Sequence, residues 1–399
     1  MNHSCIICGA HLPEKPLFTL RNAPSSAQNI PDRKELPADT GMELSLYRCE
    51  ECGLTQFDTE PVWYYRDVIR AGGLSTTMTE LRRTQYRHFI EKYHLSGKRI
   101  LEAGCGRGEF LKVLTEFPVR AYGIEHKAAL CKEAQKAGLR VWQDFPEHAQ
   151  HVIREPGSEE KFDAFLSFNF LEHQPDPSVM LRSIRASITD GGYGLVTVPA
   201  LEYIVEKGSY YELIRDHIAY YTFSSLRRLF EETGFRVLEE ETVNRDTIAM
   251  IVQKVPDGGE ERVISAGTAA KKEDGLVQAL VEGYEITQEE IRSLIRECRA
   301  QNSTLSVWGA SHQGFTLLST TELSDYVTSV VDSAPFKQGR FAPASHVPIV
   351  SPEEFFAAPA DVCLITAPGY SAEIAGIIRE RAGGNVRVLT IRSSRIENV

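Results

Sequence analysis

The chain has 399 residues, longer than one ordinary core, so two or three domains are expected. A net charge of −11 excludes a nucleic-acid-binding surface as the main business of the molecule, while leaving room for a local basic pocket around one phosphorylated ligand. No apolar run approaches the roughly 20 residues a membrane helix needs. The start, Met1-Asn2-His3-Ser4-Cys5, shows no basic-then-apolar leader, so the expectation is a cytoplasmic protein with no membrane partner.

Four of the eight cysteines form two Cys-x-x-Cys-Gly knuckles, Cys5-Ile6-Ile7-Cys8-Gly9 and Cys49-Glu50-Glu51-Cys52-Gly53. Each knuckle aims two thiolates at one point, and two knuckles supply the tetrahedral four-cysteine set that suits structural Zn2+, with no open position for catalysis. A redox dithiol is the competing reading of the same residues. Cys105, Cys131, Cys298 and Cys363 are scattered and read as buried thiols. The segment between the knuckles, Leu20 to Gln28 with Pro31 and Pro37 after it, reads as a long irregular loop. Trp63 to Leu74 either covers a ligand or links two domains, with Trp63 packed in a core. It leads into a helix over about 75–93.

From residue 98 strands and helices alternate. The stretch Ile100-Leu101-Glu102-Ala103-Gly104-Cys105-Gly106-Arg107-Gly108-Glu109 is a strand ending on an acid, a glycine turn and a helix start, the geometry of a Rossmann-like first crossing. Glu102, Gly104, Gly106 and Gly108 are therefore cofactor candidates. Glu125 ends the second strand, where a carboxylate accepts both ribose hydroxyls of a nucleoside cofactor; Asp144 follows the third, where an adenine amino group is met. For both, a helix N-cap is the plainer role. The fourth strand, 162–168, runs into Asn169-Phe170-Leu171-Glu172-His173. His173 is catalytic or orients a loop. A fifth strand ends at Pro199, and a hairpin, 235–243 and 247–254, closes the unit.

Before that hairpin comes Tyr210 to Thr222, containing Asp216-His217. The adjacent pair reads as a carboxylate tuning a histidine able to act as general base near neutral pH. Pro256-Asp257-Gly258-Gly259 signals a linker. A long helix over roughly 272–300 leads into a second α/β unit with the turn Gly309-Ala310-Ser311-His312-Gln313-Gly314, a helix over 315–320, and a strand ending at Asp332. Lys337, Arg340 and His346 follow in a loop that is either solvated or contacts a phosphate or diphosphate.

The Glu-x-Gly-x-Gly-x-Gly spacing resembles motif I of class I S-adenosylmethionine-dependent methyltransferases. With the cysteine pairs, Asn169 to His173, Asp216-His217, Gly309 to Gly314 and the run Val331-Asp332 through Ile349, the chain from Cys5 to about residue 375 resembles the zinc-containing C-methyltransferases that act on nucleotide-linked keto-deoxysugars. The resemblance implies an α/β architecture of three parts: a zinc-binding domain over 1–65, a seven-stranded methyltransferase core over 66–256, and a C-terminal Rossmann-like substrate-binding domain over 257–399. It implies S-adenosyl-L-methionine held by Glu102, Gly104, Gly106, Gly108, Glu125, Asp144 and Asn169, and structural Zn2+ on Cys5, Cys8, Cys49 and Cys52. His217 would remove a proton beside a ketone, supported by Asp216 and His173, and the enolate would take the methyl group. Lys337, Arg340 and His346 would meet the nucleotide-linked small molecule. Secondary-metabolite or surface-polysaccharide biosynthesis, with a monomer or weak homo-oligomer, completes the expectation.

The chain departs from that family's pattern on the acceptor side. Ile214 stands where the family has a tyrosine, Val68 to Gly73 lacks tyrosines, and Val243-Asn244-Arg245-Asp246-Thr247 replaces a His-Gly-Gly-Ser-like element. O- or N-methylation of another metabolite on the same scaffold is the first alternative, and a non-catalytic cofactor-binding protein the second.

Overall fold

The computed structural model describes residues 3–67, 75–256 and 274–399. The expected tyrosine-lacking segment 68–73 and most of the linker after Pro256 lie outside the described residues. The chain begins with strands β1 (Phe18–Ala23), β2 (Met42–Arg48) and β3 (Thr55–Phe57). The supposed irregular loop from Leu20 is thus part strand: Phe18, Leu20 and Ala23 are buried and pair with β2, with a register shift between Leu20 and Ala23, because their apolar faces have a partner the local sequence does not reveal.

Then follow α1 (Thr76–Lys92), β4 (Arg99–Ala103), α2 (Glu109–Leu114), β5 (Arg120–Glu125), α3 (Ala128–Lys136), β6 (Val141–Gln143), β7 (Phe162–Phe168), α4 (Pro177–Ser187), β8 (Ile188–Pro199), α5 (Leu201–Lys207), the two-residue β9 (Ala219–Tyr220), α6 (Phe223–Glu232), β10 (Phe235–Val243) and β11 (Thr247–Lys254). Cap chemistry sets several of these limits. The Asp176 carboxylate accepts from Val179 N–H with Pro177 in the first turn of α4, and Thr222 and Ser225 form a reciprocal capping box on α6. The third part holds α7 (Asp274–Gln301), β12 (Leu305–Trp308), α8 (His312–Thr320), β13 (Val327–Val331), β14 (Ile349–Val350), α9 (Pro352–Ala357), β15 (Val362–Ile365), α10 (Ser371–Ala382), β16 (Arg387–Ile391) and β17 (Ile396–Asn398). Helix α8 starts three residues before the expected 315 because Ser311 is its N-cap, accepting from Gly314 N–H.

Seven strands form one sheet in the order β10-β11-β8-β7-β4-β5-β6, parallel except where β11 runs antiparallel between β8 and β10. This is the seven-stranded class I methyltransferase fold. A six-stranded sheet, β14-β13-β12-β15-β16-β17, is parallel but for its last edge and places the Gly309 turn at the end of its central strand. The four-stranded sheet, β1-β2-β3-β9, recruits its fourth strand from the core segment that carries His217.

Packing also crosses the expected boundaries. Phe18, Leu20, Leu44 and Leu46 share one apolar cluster with Leu280, Ile291 and Leu317, while Cys5, Cys49 and Leu54 pack with Leu226, Leu229 and Phe230 of α6. Apolar burial at roughly 25 cal/mol per Å2 therefore holds the N-terminal part against both others.

Gly314 illustrates the tightness of the C-terminal turn. A Cβ there would lie 2.4 Å from the Gly309 carbonyl oxygen and 2.7 Å from Thr366 Oγ1. Gly314→Ala should cost about 1–3 kcal/mol by overpacking, read as a lower melting temperature. Unchanged melting would contradict this packing.

Candidate active site

The cofactor end is built by the turn after β4. Gly104, Gly106 and Gly108 have φ of 72°, 61° and 82°, left-handed values that favour glycine. A Cβ on Gly108 would also sit 2.2 Å from Leu139 Cδ1. Glu102 is buried at the end of β4. Glu125, buried at the end of β5, accepts from Gly106 N–H (3.0 Å) and Lys127 N–H (2.8 Å). Its carboxylate braces the glycine turn, and burial raises its pKa against those two amides. Asp144 accepts from Phe145 N–H (2.7 Å) and lies 2.8 Å from His151 Nε2, so one oxygen is already engaged beside the expected adenine position. Asn169 sits exposed at the end of β7 with φ 49°, its side-chain oxygen accepting from the Thr197 hydroxyl (3.0 Å).

The segment 63–67 runs past this end. Trp63 is 86% exposed, against the reading that packed it in a core, and its neighbour Tyr64 is buried. Tyr65 packs edge-on against Phe145, and Asp67 pairs with His126 (3.1 Å) just after Glu125. The described part of the segment thus lies beside the cofactor strands.

The acceptor end differs from expectation in one respect. Asp216 does not bond the His217 ring. Its carboxylate turns toward the N-terminal part, accepting from Tyr64 Oη (2.6 Å) and Ala27 N–H (2.9 Å). The physical reason is local: the turn from Ile214 to His217 is closed by His217 N–H to Ile214 C=O, and Tyr220 Oη bonds both backbone groups of Ile214, which sends adjacent side chains apart. Asp216 instead acts through its backbone, its carbonyl accepting from His173 Nδ1 (2.7 Å). That bond places the His173 proton on Nδ1 and leaves Nε2 with a lone pair.

His173 and His217 meet edge to face, ring centroids 4.8 Å apart. Burial lowers the pKa of both, His217 well below its ordinary value with His173 and His312 adding to the effect. Both rings are therefore neutral near pH 7 and carry proton-accepting nitrogens. Ile218 N–H donates to Glu172 C=O, and Phe57 N–H to Ile218 C=O, fixing this pair between the two sheets. Beside it a narrow, largely apolar pocket is lined by Ala27, Leu213, Ile214, Arg215, His312 and Phe315, drawn from all three parts of the chain.

The basic loop of the third part is committed to bracing. Lys337 Nζ donates to Ala310 C=O (2.8 Å) and Asp332 (3.1 Å), Arg340 donates to Ile30 C=O (2.8 Å), and His346 meets the Asp39 carboxylate (2.9 Å). The expectation that these three contact a phosphate thus meets an arrangement in which they lock the Gly309 turn and clamp the N-terminal loop.

Sequence reading missed Tyr64 and Glu172. Nothing local signals that Tyr64 reaches Asp216. Glu172 sits in the same run as His173, and the apolar residues around it were the available clue to its burial.

The four knuckle cysteines converge. Cys5 and Cys52 sulfurs lie 3.4 Å apart, Cys8 and Cys49 sulfurs 3.5 Å, and all four are free thiols within one ligand-sized cluster. Zn–S bonds of about 2.3 Å set tetrahedral sulfurs roughly 3.8 Å apart, so the set fits the ion.

The sheet order and glycine turn define an S-adenosylmethionine-dependent methyltransferase, and comparison with known proteins narrows the class. A methyltransferase domain family model matches residues 78–240, and a C-methyltransferase C-terminal domain model matches 262–390. The chain is 23% identical over 387 residues to C-methyltransferase NovU of Streptomyces niveus, covering 93% of this chain and 90% of that protein. It is 31% identical over 103 residues to a ubiquinone biosynthesis O-methyltransferase of Ralstonia nicotianae, covering 25% of this chain and 42% of the relative. Magnesium protoporphyrin IX methyltransferase from Synechocystis, solved with bound SAH, aligns with a TM-score of 0.35 at 16% identity, over 46% of this chain and 89% of its own. The chain is an S-adenosylmethionine-dependent methyltransferase, similar to C-methyltransferases over most of its length.

Glu125→Ala removes the carboxylate that holds Gly106 and Lys127. Calorimetry should show S-adenosylhomocysteine binding weakened at least about tenfold, the loss of charge-assisted hydrogen bonds. Undiminished affinity would remove Glu125 from the cofactor site.

Proposed function

We propose that the protein transfers the methyl group of S-adenosylmethionine to a carbon beside a ketone, on a nucleotide-linked deoxysugar or a similar phosphorylated ketone. The observation that carries this reading is the neutral His173–His217 pair, with Leu213, Ile214 and Arg215 just before His217 lining a pocket that draws on all three parts of the chain. His217 takes the proton that the neighbouring carbonyl has acidified, and His173, fixed by the Asp216 carbonyl, holds the ring in place. Asp216 and Tyr64 position the segment. The low polarity around the rings favours a neutral base, while the enolate oxygen needs donors nearby, for which His312 and Arg215 at the pocket are candidates. Methyl transfer then neutralises the enolate. In this reading Lys337, Arg340 and His346 shape the cleft, and the four-cysteine set binds structural zinc that rigidifies the N-terminal part against α6.

A second reading, O-methylation, is favoured by the match to ubiquinone biosynthesis O-methyltransferases and by Ile214 standing where a tyrosine is expected.

The test uses candidate nucleotide-linked ketosugars with the full chain. Carbon methylation predicts solvent deuterium entering the acceptor before transfer, lost together with turnover in His217→Ala while S-adenosylhomocysteine affinity stays within about twofold. A methyl ether as product with no deuterium uptake would overturn it. Elemental analysis should further find zinc on the cysteine cluster, one ion fewer in Cys49→Ser; equal zinc in both proteins would sink that assignment.

A further inference from the structure

Glu172 is the group that the proposed reaction leaves without a task. It is 1% exposed, and burial pushes its pKa up to about 8. Among the described residues its Oε2 has no hydrogen-bond partner, and its Oε1 lies 3.9 Å from His173 Nε2, beyond hydrogen-bond reach. A buried carboxylate left this way is costly, by several kcal/mol if charged, unless it gains a cation or a proton.

The surroundings are suited to a cation. His173 donates its Nδ1 proton to a backbone carbonyl, the outer bond that orients metal-binding imidazoles, and so presents its Nε2 lone pair. His217, against it, is held as a neutral ring. One ligand atom from each of Glu172, His173 and His217 lies within 4.8 Å of the others. Ligand bonds of about 2.0–2.2 Å would place these atoms roughly 3.4 Å apart, so closure needs side-chain shifts of about 1 Å.

We propose that Glu172, His173 and His217 form a second metal site, distinct from the cysteine cluster, that takes a zinc-class divalent cation on two imidazole nitrogens and one carboxylate oxygen with a further position open. Two imidazoles and a carboxylate select zinc or a neighbouring transition metal over magnesium or calcium, which prefer all-oxygen shells. The ring nitrogen that holds the ion cannot also take a carbon-bound proton, so cation and turnover compete for His217. The site itself does not depend on which acceptor is methylated.

The full chain is equilibrated with excess Zn2+, desalted and counted for zinc. Glu172→Gln and Glu172→Leu should each lose one ion per chain relative to the unaltered protein, with circular dichroism and the S-adenosylhomocysteine melting shift retained. The same chain loaded with Co2+ should show, beside the thiolate charge transfer of the cysteine cluster, a visible band of nitrogen and oxygen ligation that disappears in both variants. Equal zinc counts across the three proteins, together with an unchanged cobalt spectrum, would overturn the site. Activity gives a separate reading: added Zn2+ should slow methyl transfer, and acceleration by the bound ion would retain the site while removing His217 as base.

Discussion

The two residues of β9 hold the acceptor end together. Ala219 and Tyr220 pair with Gln56 and Thr55 of the N-terminal sheet, yet they belong to the segment that starts at Tyr210 and returns to α6 of the core. Immediately before them, Ile218 gives its N–H to Glu172 C=O and its C=O to Phe57 N–H. His217 is thereby fixed at a seam between two sheets. A side chain on a strand-anchored segment loses less orientational freedom than one on a free loop, which is what a group acting on a carbon-bound proton requires. The tyrosine braces serve the same end: Tyr64 ties Asp216 to the N-terminal part, and Tyr220 closes the turn around Ile214. The cysteine knuckles pack on α6, so whatever orders them also orders this seam.

The two ends of the site rest on different physics. The candidate cofactor end is made largely of backbone: left-handed glycines, amides gathered by Glu125, and the start of α2, all drawn from the consecutive elements β4, α2 and β5. The acceptor end is made of side chains from far apart in sequence, in an interior poor in compensating charge. There Glu172, His173 and His217 all carry shifts toward their neutral forms, with desolvation the largest cause for each. Burial thus makes the imidazolium forms costly and favours the protonated form of Glu172, so both rings keep their lone pairs.

That contrast explains what could be read from the sequence. The glycine turn, Glu125 and the alternation from β4 to β11 were legible because local spacing determines them, and the hairpin limits 235–243 and 247–254 agree with β10 and β11. The cysteine cluster was legible because its ligands are a distinctive chemical type, and Cys105, Cys131, Cys298 and Cys363 are buried as expected. The β1 strand was hidden because its partners lie beyond the local window. The partners of the Asp216 carboxylate were hidden for the same reason, since Tyr64 and Ala27, more than 150 residues earlier, hold it.

If the seam presents His217 to the methyl donor, a crystal structure of the full chain with S-adenosylhomocysteine will show it. The ribose should lie on Glu125 and the cofactor sulfur should be directed at His217, with an acceptor-sized gap opening toward Ile214 and His312. A sulfur directed away from the His173–His217 pair, or separated from it by packed protein, would rule that arrangement out.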